Sequence, residues 1–266
     1  MDPEEAARQT AKIWSTGEYA DLSERLRPAA QALADACAVG AGQEVLDVAA
    51  GDGNFAVACA AEGCAVVASD LAPGMVEKGR ARTEAEGYEI EWVEANAQAL
   101  PFDDDRFECV GSVFGAMIAP EPELVARELF RVVRPGNTVG MTAWMPGGTA
   151  VEMFDIGRRY APGGPPAHTP DRWGDEDNVR GWFEGLANSI DFERHSVVWG
   201  GESPEQFVAM MEQSAPPQAA AKASMPPDTY AQMRAEMLEL ARGWAGGDGA
   251  FEIDAEYLQI VARRRG

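Results

Sequence analysis

The chain has 266 residues, with 44 Asp or Glu against 22 Lys or Arg and a formal charge of −22. So acidic a surface argues against partners gripped through phosphates, nucleic acid first, because that binding rests on basic side chains releasing counterions. The acidity itself reads as a solubility or salt-adapted surface. The length suits one large α/β domain. No run is long and apolar enough to cross a membrane, and Met1-Asp2-Pro3-Glu4-Glu5 lacks the basic start of an export signal, so a cytoplasmic protein is expected. Cys37, Cys59, Cys64 and Cys109 show no metal-type spacing, and neither a disulfide nor a bound metal is expected.

Residues 4–14 and 18–38 have the pattern of two helices that cover one side of a sheet. A first strand, 44–48, then breaks into the turn Ala49-Ala50-Gly51-Asp52-Gly53 and a helix from about Asn54. Gly51 and Gly53 let backbone N–H groups approach a ligand, and the helix aims its positive end at the same place. A second strand, 65–69, ends at Asp70, about the distance from the turn expected of a ribose-binding acid. Strands are predicted at 89–94, 107–114 and 138–144. A helix over 122–133 carries the stripe Leu124, Val125, Leu129, Val132 and Val133. Apolar runs alternating with helical patterns imply parallel strands joined by crossover helices.

After the fifth strand, Pro146 to Asp175 contains Pro162-Gly163-Gly164-Pro165-Pro166, which cannot be regular structure. It leaves the carboxyl edge of the sheet and is a candidate gate. Phe192 to Trp199 and Phe251 to Ala262 read as two closing strands separated by about fifty residues, far more than a hairpin loop needs. That insertion starts a helix at Ser203 with Phe207, Met210 and Met211 on one face, and Pro216-Pro217 should break it. A second helix from about Asp228 carries Tyr230, Met233, Met237, Leu240 and Trp244. Such faces suit a helical hairpin packed on the sheet, an acceptor lid, or both.

Gly51-x-Gly53-x-x-Ala56 with Asp70 satisfies the dinucleotide fingerprint, so an NAD(P)-dependent oxidoreductase is the first rival. Asp47 and Asp52 flank the turn, however, and two carboxylates would repel a pyrophosphate. A ligand with a cationic end and no phosphate fits better, and S-adenosylmethionine is one.

Four segments carry a resemblance to the class I S-adenosylmethionine-dependent methyltransferases, in particular the branch similar to the ubiquinone/menaquinone-biosynthesis methyltransferases. They are the glycine turn; Asp70-Leu71-Ala72-Pro73-Gly74-Met75; Asn96-Ala97-Gln98-Ala99-Leu100-Pro101-Phe102; and Glu128 to Gly136 leading into Val139 to Trp144. The resemblance is strong over residues 40 to 146. It departs from the family pattern at Ala49-Ala50, Asp52, Asn96 and Asn137, the last standing where a left-handed Gly is common. It implies a Rossmann-like, seven-stranded, mostly parallel sheet with an antiparallel last strand, helices on both faces and a helical cap. The expected organisation is a single domain over 1–266: N-terminal helices to 40, the cofactor core 41–146, a gate loop and helix 147–188, and the last two strands over 189–266 with an insertion at 203–244.

The resemblance further implies that Asp47, Ala49, Gly51, Gly53, Asp70, Leu71, Met75, Asn96, Ala97 and Phe114 surround the cofactor, S-adenosylhomocysteine being its product. Trp14-Ser15-x-Gly17-x-Tyr19 resembles a segment that folds over the cofactor in related enzymes, which makes Tyr19 a candidate contact. Methyl transfer from a sulfonium needs alignment and exclusion of water more than an obligatory catalytic group. Of two histidines, His195 reads as structural and His168, in the gate, as the candidate base. Met117, Trp144, Trp173, Met210 and Met211 are candidates for an acceptor pocket. The implied activity is methyl transfer to a small, mostly apolar metabolite, at an oxygen, nitrogen or carbon left open, with a homodimer also left open. A protein that binds S-adenosylmethionine without transferring its methyl is the remaining alternative.

Overall fold

The computed structural model describes residues 3–161, 169–245 and 250–266. One seven-stranded sheet organises them in the order β3-β2-β1-β4-β5-β7-β6. The strands are β1 (Glu44–Val48), β2 (Ala65–Asp70), β3 (Ile90–Glu94), β4 (Phe107–Val113), β5 (Val133–Trp144), β6 (Ala187–Gly201) and β7 (Phe251–Arg264). β1 lies parallel to β2 and β4, β2 to β3, and β4 to β5; β7 runs antiparallel to both β5 and β6. Helices among the described residues are α1 (Pro3–Trp14), α2 (Ala20–Cys37), α3 (Asn54–Ala61), α4 (Pro73–Ala85), α5 (Pro122–Val132), α6 (Thr149–Arg159), α7 (Glu176–Trp182), α8 (Pro204–Ser214), α9 (Pro216–Ser224) and α10 (Pro227–Ala245).

Both faces of the sheet are covered, which is why its central strands are apolar almost throughout. On one face Leu33, Ala34 and Cys37 of α2 and Phe55 and Cys59 of α3 pack with Val45, Val66 and Cys109. The other face holds Leu46, Val110, Met141 and Ile260 against Val125, Leu129 and Phe130 of α5. The expected stripe of α5 therefore holds apart from Leu124, which is exposed, and Val133, which already belongs to β5. The chain order reverses between β1 and β4. Diverging loops leave a crevice outside the carboxyl ends of such neighbours.

Several boundaries differ from the sequence reading for local reasons. β5 starts at Val133 because Phe107 pairs with Val133 before a register shift, and the left-handed residue of that irregularity is Gly136 (φ 76°), not Asn137. β6 and β7 extend past the expected ends into one long antiparallel ribbon from Ala187↔Arg264 to Gly201↔Phe251. Pro216 does end α8, yet it also sits in the first turn of α9, where a missing N–H costs nothing, so the insertion holds three helices among its described residues instead of two. The stretch expected to be a gate is partly regular: α6 occupies its start and a short 3-10 turn, Pro170–Gly174, its end. Cys37, Cys59 and Cys109 are buried among aliphatic side chains and are all free, as small hydrophobes are. No group of His, Cys, Asp and Glu among the described residues could hold a metal ion.

Candidate functional site

Three loops meet at the crevice, and hydroxyl groups tie them together. Ser112 Oγ donates to Val48 O at 2.7 Å and accepts from Ala116 N at 2.9 Å; Ser69 Oγ donates to Asp47 O at 3.2 Å; Thr142 Oγ1 accepts from Phe114 N at 3.1 Å. Ala49 and Phe114, the residues immediately after β1 and β4, take left-handed backbone at φ 52° and 55°. Such strain in non-glycine residues persists where surroundings enforce it and clusters at ligand sites. It is enforced here by close approach, since a Cβ on Gly115 would lie 2.1 Å from Ala49 O.

Asp70 ends β2 and is 8 % exposed. Its Oδ2 accepts from Gly51 N at 2.9 Å and its Oδ1 from Ala72 N at 2.8 Å, so one carboxylate fixes both the glycine turn and the loop into α4. Burial pushes its pKa up to about 6, against the pull of those N–H groups. The Leu71 N–H pulls the same way, and of the roughly four lone-pair sites of a carboxylate about one remains for a hydroxyl. Asp47 is 1 % exposed; its Oδ2 accepts from Ala56 N at 2.9 Å, while Oδ1 has no partner among the described residues. Burial first, then Asp70 and Asp52, hold its pKa well above the carboxylate range.

Asp52 corrects the sequence reading. It does not stand as a free carboxylate at the turn: Ser23 Oγ donates to it at 2.6 Å and Arg82 Nη1 lies 3.1 Å away. Arg82 also donates to Asn54 Oδ1 at 2.9 Å, and Asn54 Nδ2 to Ser23 O at 2.8 Å, so the network joins α2, α3 and α4 behind the turn. Its repulsion of a pyrophosphate is thereby cancelled, and the electrostatic case against a dinucleotide falls to Asp47 and Asp70.

Gly53 also has another duty than expected. It sits at φ 93°, and a Cβ there would meet Trp92 Cζ2 at 2.9 Å, inside the fold. Gly51, at φ 60°, faces outward under Tyr19, whose Cε1 and hydroxyl lie 3.2 Å from where its Cβ would be. Tyr19 is itself left-handed at φ 64°, and burial, followed by Asp52, Asp70 and Asp47, raises the pKa of its hydroxyl. Asn96 and Ala97 follow β3, with Asn96 Oδ1 accepting from Gln98 N at 2.9 Å. The next stretch is braced by α5: Arg131 donates to Leu100 O at 2.9 Å and Phe102 O at 2.7 Å, and Glu128 Oε2 accepts from Leu100 N at 2.6 Å. Leu71 is half-buried, whereas Met75 is fully buried on α4 and has no open surface to offer a ligand.

Phe114 stacks on Trp144 with centroids 3.9 Å apart, and Trp144 meets Trp199 edge-on at 5.5 Å; Trp199 packs near Phe207 of α8 at 6.0 Å. Trp144 is therefore part of an aromatic row across the carboxyl ends of β4, β5 and β6. Met117, Trp173 and Met211 are sealed in the same core, so as they stand they are packing residues and not an open pocket; Met210 is half-buried against it. The indole Nε1 of Trp173 and of Trp199 has no partner among the described residues. His195 stacks on Tyr257 at 5.5 Å and pairs with Glu193 at 3.2 Å, a structural setting. His168 lies outside the described residues.

Residues 45–136 match a family model described as a methyltransferase domain. The uncharacterized protein Rv1403c of Mycobacterium tuberculosis is 36 % identical over 259 residues, covering 95 % of this chain and 93 % of that one. Demethylmenaquinone methyltransferase of Clavibacter sepedonicus is 44 % identical over 99 residues, 37 % of this chain and 40 % of that enzyme. Among solved structures, phosphoethanolamine N-methyltransferase 2 of Haemonchus contortus, in complex with phosphomonomethylethanolamine and S-adenosylhomocysteine, superposes with a TM-score of 0.58 at 16 % identity, over 90 % of this chain and 53 % of that one. The chain belongs to the class I S-adenosylmethionine-dependent methyltransferases, in one family with Rv1403c. Its cofactor is S-adenosylmethionine, and the oxidoreductase reading falls.

Two outcomes follow from the site's geometry. Gly53→Val should destabilise the fold by about 1–3 kcal/mol or more through Trp92, visible as a lower urea midpoint, and not act on the cofactor alone. Asp70 carries a folded pKa of about 6, raised from 3.8, so its contribution to stability is full below pH 4 and is lost as pH climbs through 6. The stability of the wild type minus that of Asp70→Asn should accordingly fall by on the order of 2–3 kcal/mol between pH 4 and 7 in urea titrations. A rise over that interval would mean a depressed pKa.

Proposed function

We propose that this methyltransferase acts on a small, mostly apolar acceptor held at the carboxyl ends of β4, β5 and β6. The aromatic row from Phe114 through Trp144 and Trp199 to Phe207 carries the reading: the rings are themselves buried, and they make the layer beneath the carboxyl ends of these strands apolar, with few polar atoms to engage a polar acceptor. Net charge of −22 supports the exclusion of nucleic acid as the acceptor. No helix among the described residues is long and apolar enough to cross a membrane.

The residues at the crevice fit the cofactor on one observation above all: among the described residues, Asp47 Oδ1 is a buried acceptor that lacks a donor. An ammonium there would supply that donor and return Asp47 to its ionised form. Asp70 would take the ribose hydroxyls with its remaining acceptor capacity, and the Asn96-Ala97 segment would border the adenine. Ala49 and Gly51 would leave room for the methionine portion, with Tyr19 above it. When bound, the cofactor supplies a methyl group made electrophilic by a sulfonium. What the chain itself contributes is alignment and dryness: the rigid strand ends set the approach, and the aromatic row keeps water away from the reacting centre. The half-buried Met210, on α8, is the insertion residue best placed to border an acceptor, whereas Met211 is needed for packing.

Calorimetry should show heat for S-adenosylhomocysteine and none for NADP, and Asp47→Asn should weaken the former by roughly 1.5–3 kcal/mol while circular dichroism stays unchanged. A screen of quinols, phenols and amines, read as release of S-adenosylhomocysteine, should give turnover with apolar ring compounds. Met210→Asp should then raise the acceptor KM without changing cofactor affinity; an unchanged KM would remove the insertion from the acceptor site.

A further inference from the structure

The segment Ser15 to Tyr19, between α1 and α2, touches two parts of the molecule that share no other direct tie described above. Toward the cofactor side, Ser15 Oγ accepts from Gly74 N at 3.3 Å, Lys78 Nζ donates to Gly17 O at 2.6 Å, and the Tyr19 ring covers Gly51. Toward the insertion, Glu18 N donates to Gln213 O at 3.1 Å, and the Thr16 hydroxyl, 2.6 Å from Ile13 O, shares its one proton with Pro216 O at 3.1 Å. Gly17 at φ 75° fits so closely that a Cβ would lie 3.0 Å from Gln213 O and 3.3 Å from Ala219 Cβ.

The break between α8 and α9 explains why these bonds exist. In an uninterrupted helix Gln213 O would accept from the N–H four residues on, but that residue is Pro217, which has none. Glu18 N–H takes its place, so the N-terminal segment is stitched into the break, and moving it would orphan a carbonyl of α8. The same segment is held on its other flank by α4 and by the glycine turn.

We propose that Ser15–Tyr19 is a strap coupling cofactor occupancy of the glycine turn to the seating of α8 and α9, so that cofactor binding and closure of the insertion over the acceptor are one event. This rests on the cofactor lying against Gly51 and Tyr19 and on the insertion bordering the acceptor. The cofactor pins Tyr19 through its contact with the turn, the strap carries that restraint three residues back to Thr16, and α8 and α9 are held in turn. Cofactor therefore binds before acceptor, and its affinity includes the seating of the insertion. By linkage the coupling is reciprocal: a bound acceptor tightens the hold on the cofactor.

Hydrogen exchange of the full chain, with and without saturating S-adenosylhomocysteine, tests the coupling without needing the acceptor. In the wild type, amides of residues 49–57 and of residues 212–225 should both slow, the latter by at least about fivefold. Thr16→Val removes the hydroxyl tie and Gly17→Ala wedges the strap from Gln213; each should keep the protection of 49–57 and lose most of that at 212–225. Full protection of 212–225 in both variants, or none there in the wild type while 49–57 is protected, would overturn the strap. Absence of protection at 49–57, together with no heat on titration, would instead overturn the placement of the cofactor on which the strap depends.

Discussion

Everything at the carboxyl edge of the sheet depends on one buried carboxylate taking two backbone N–H groups. Asp70 bonds Gly51 on one side and Ala72 on the other, and so sets the glycine turn against the start of α4. A charged acceptor bonded to backbone donors in a desolvated place is among the stronger hydrogen-bond arrangements available. The strained Ala49 and Phe114 are tolerable because this frame, with the hydroxyls of Ser69, Ser112 and Thr142, leaves the backbone no easier path.

The parts of this arrangement that were legible in the sequence are those with a local cause. β1, the turn and α3 announce themselves as an apolar run, small residues and a helix start within twenty positions. β2 to Asp70 follows the same rule. The Arg131 and Glu128 brace is a middle case: Glu128-Leu129-Phe130-Arg131 and Leu100-Pro101-Phe102 both stood out as motifs, but only the structure shows that one holds the other. Pairing across some thirty residues leaves no periodic trace in a single chain.

What the sequence hid has a common character. Gly53 looks like a ligand glycine because it stands in the fingerprint, and its actual constraint, the ring of Trp92, lies about forty positions away. Trp144 and Met117 have the chemistry of pocket walls, and residue type alone does not distinguish a wall from a core. The double proline at 216 reads as a stop because proline ends helices; it also fits the first turn of α9, and the Gln213 carbonyl that the break leaves free is taken by the distant Glu18 N–H. In each case the missing information is a long-range neighbour, while the local reading of the residue was chemically sound.

Three aspartates at the turn show how far neighbours decide what one side chain does. Asp52 is answered by Arg82 and Ser23, and its charge serves to join three helices. Asp70 is answered by backbone N–H groups and serves as a frame, at the cost of a raised pKa. Asp47 is answered on one oxygen only, and burial beside the other two drives its pKa up. An isolated buried carboxylate oxygen is expensive, so a fold that retains one has a use for it that packing does not meet. Placing the deficit on Asp47, between two satisfied carboxylates, gives the crevice a single strong demand for a cation. A cofactor that brings an ammonium meets that demand, and an uncharged molecule of the same shape would leave it unmet.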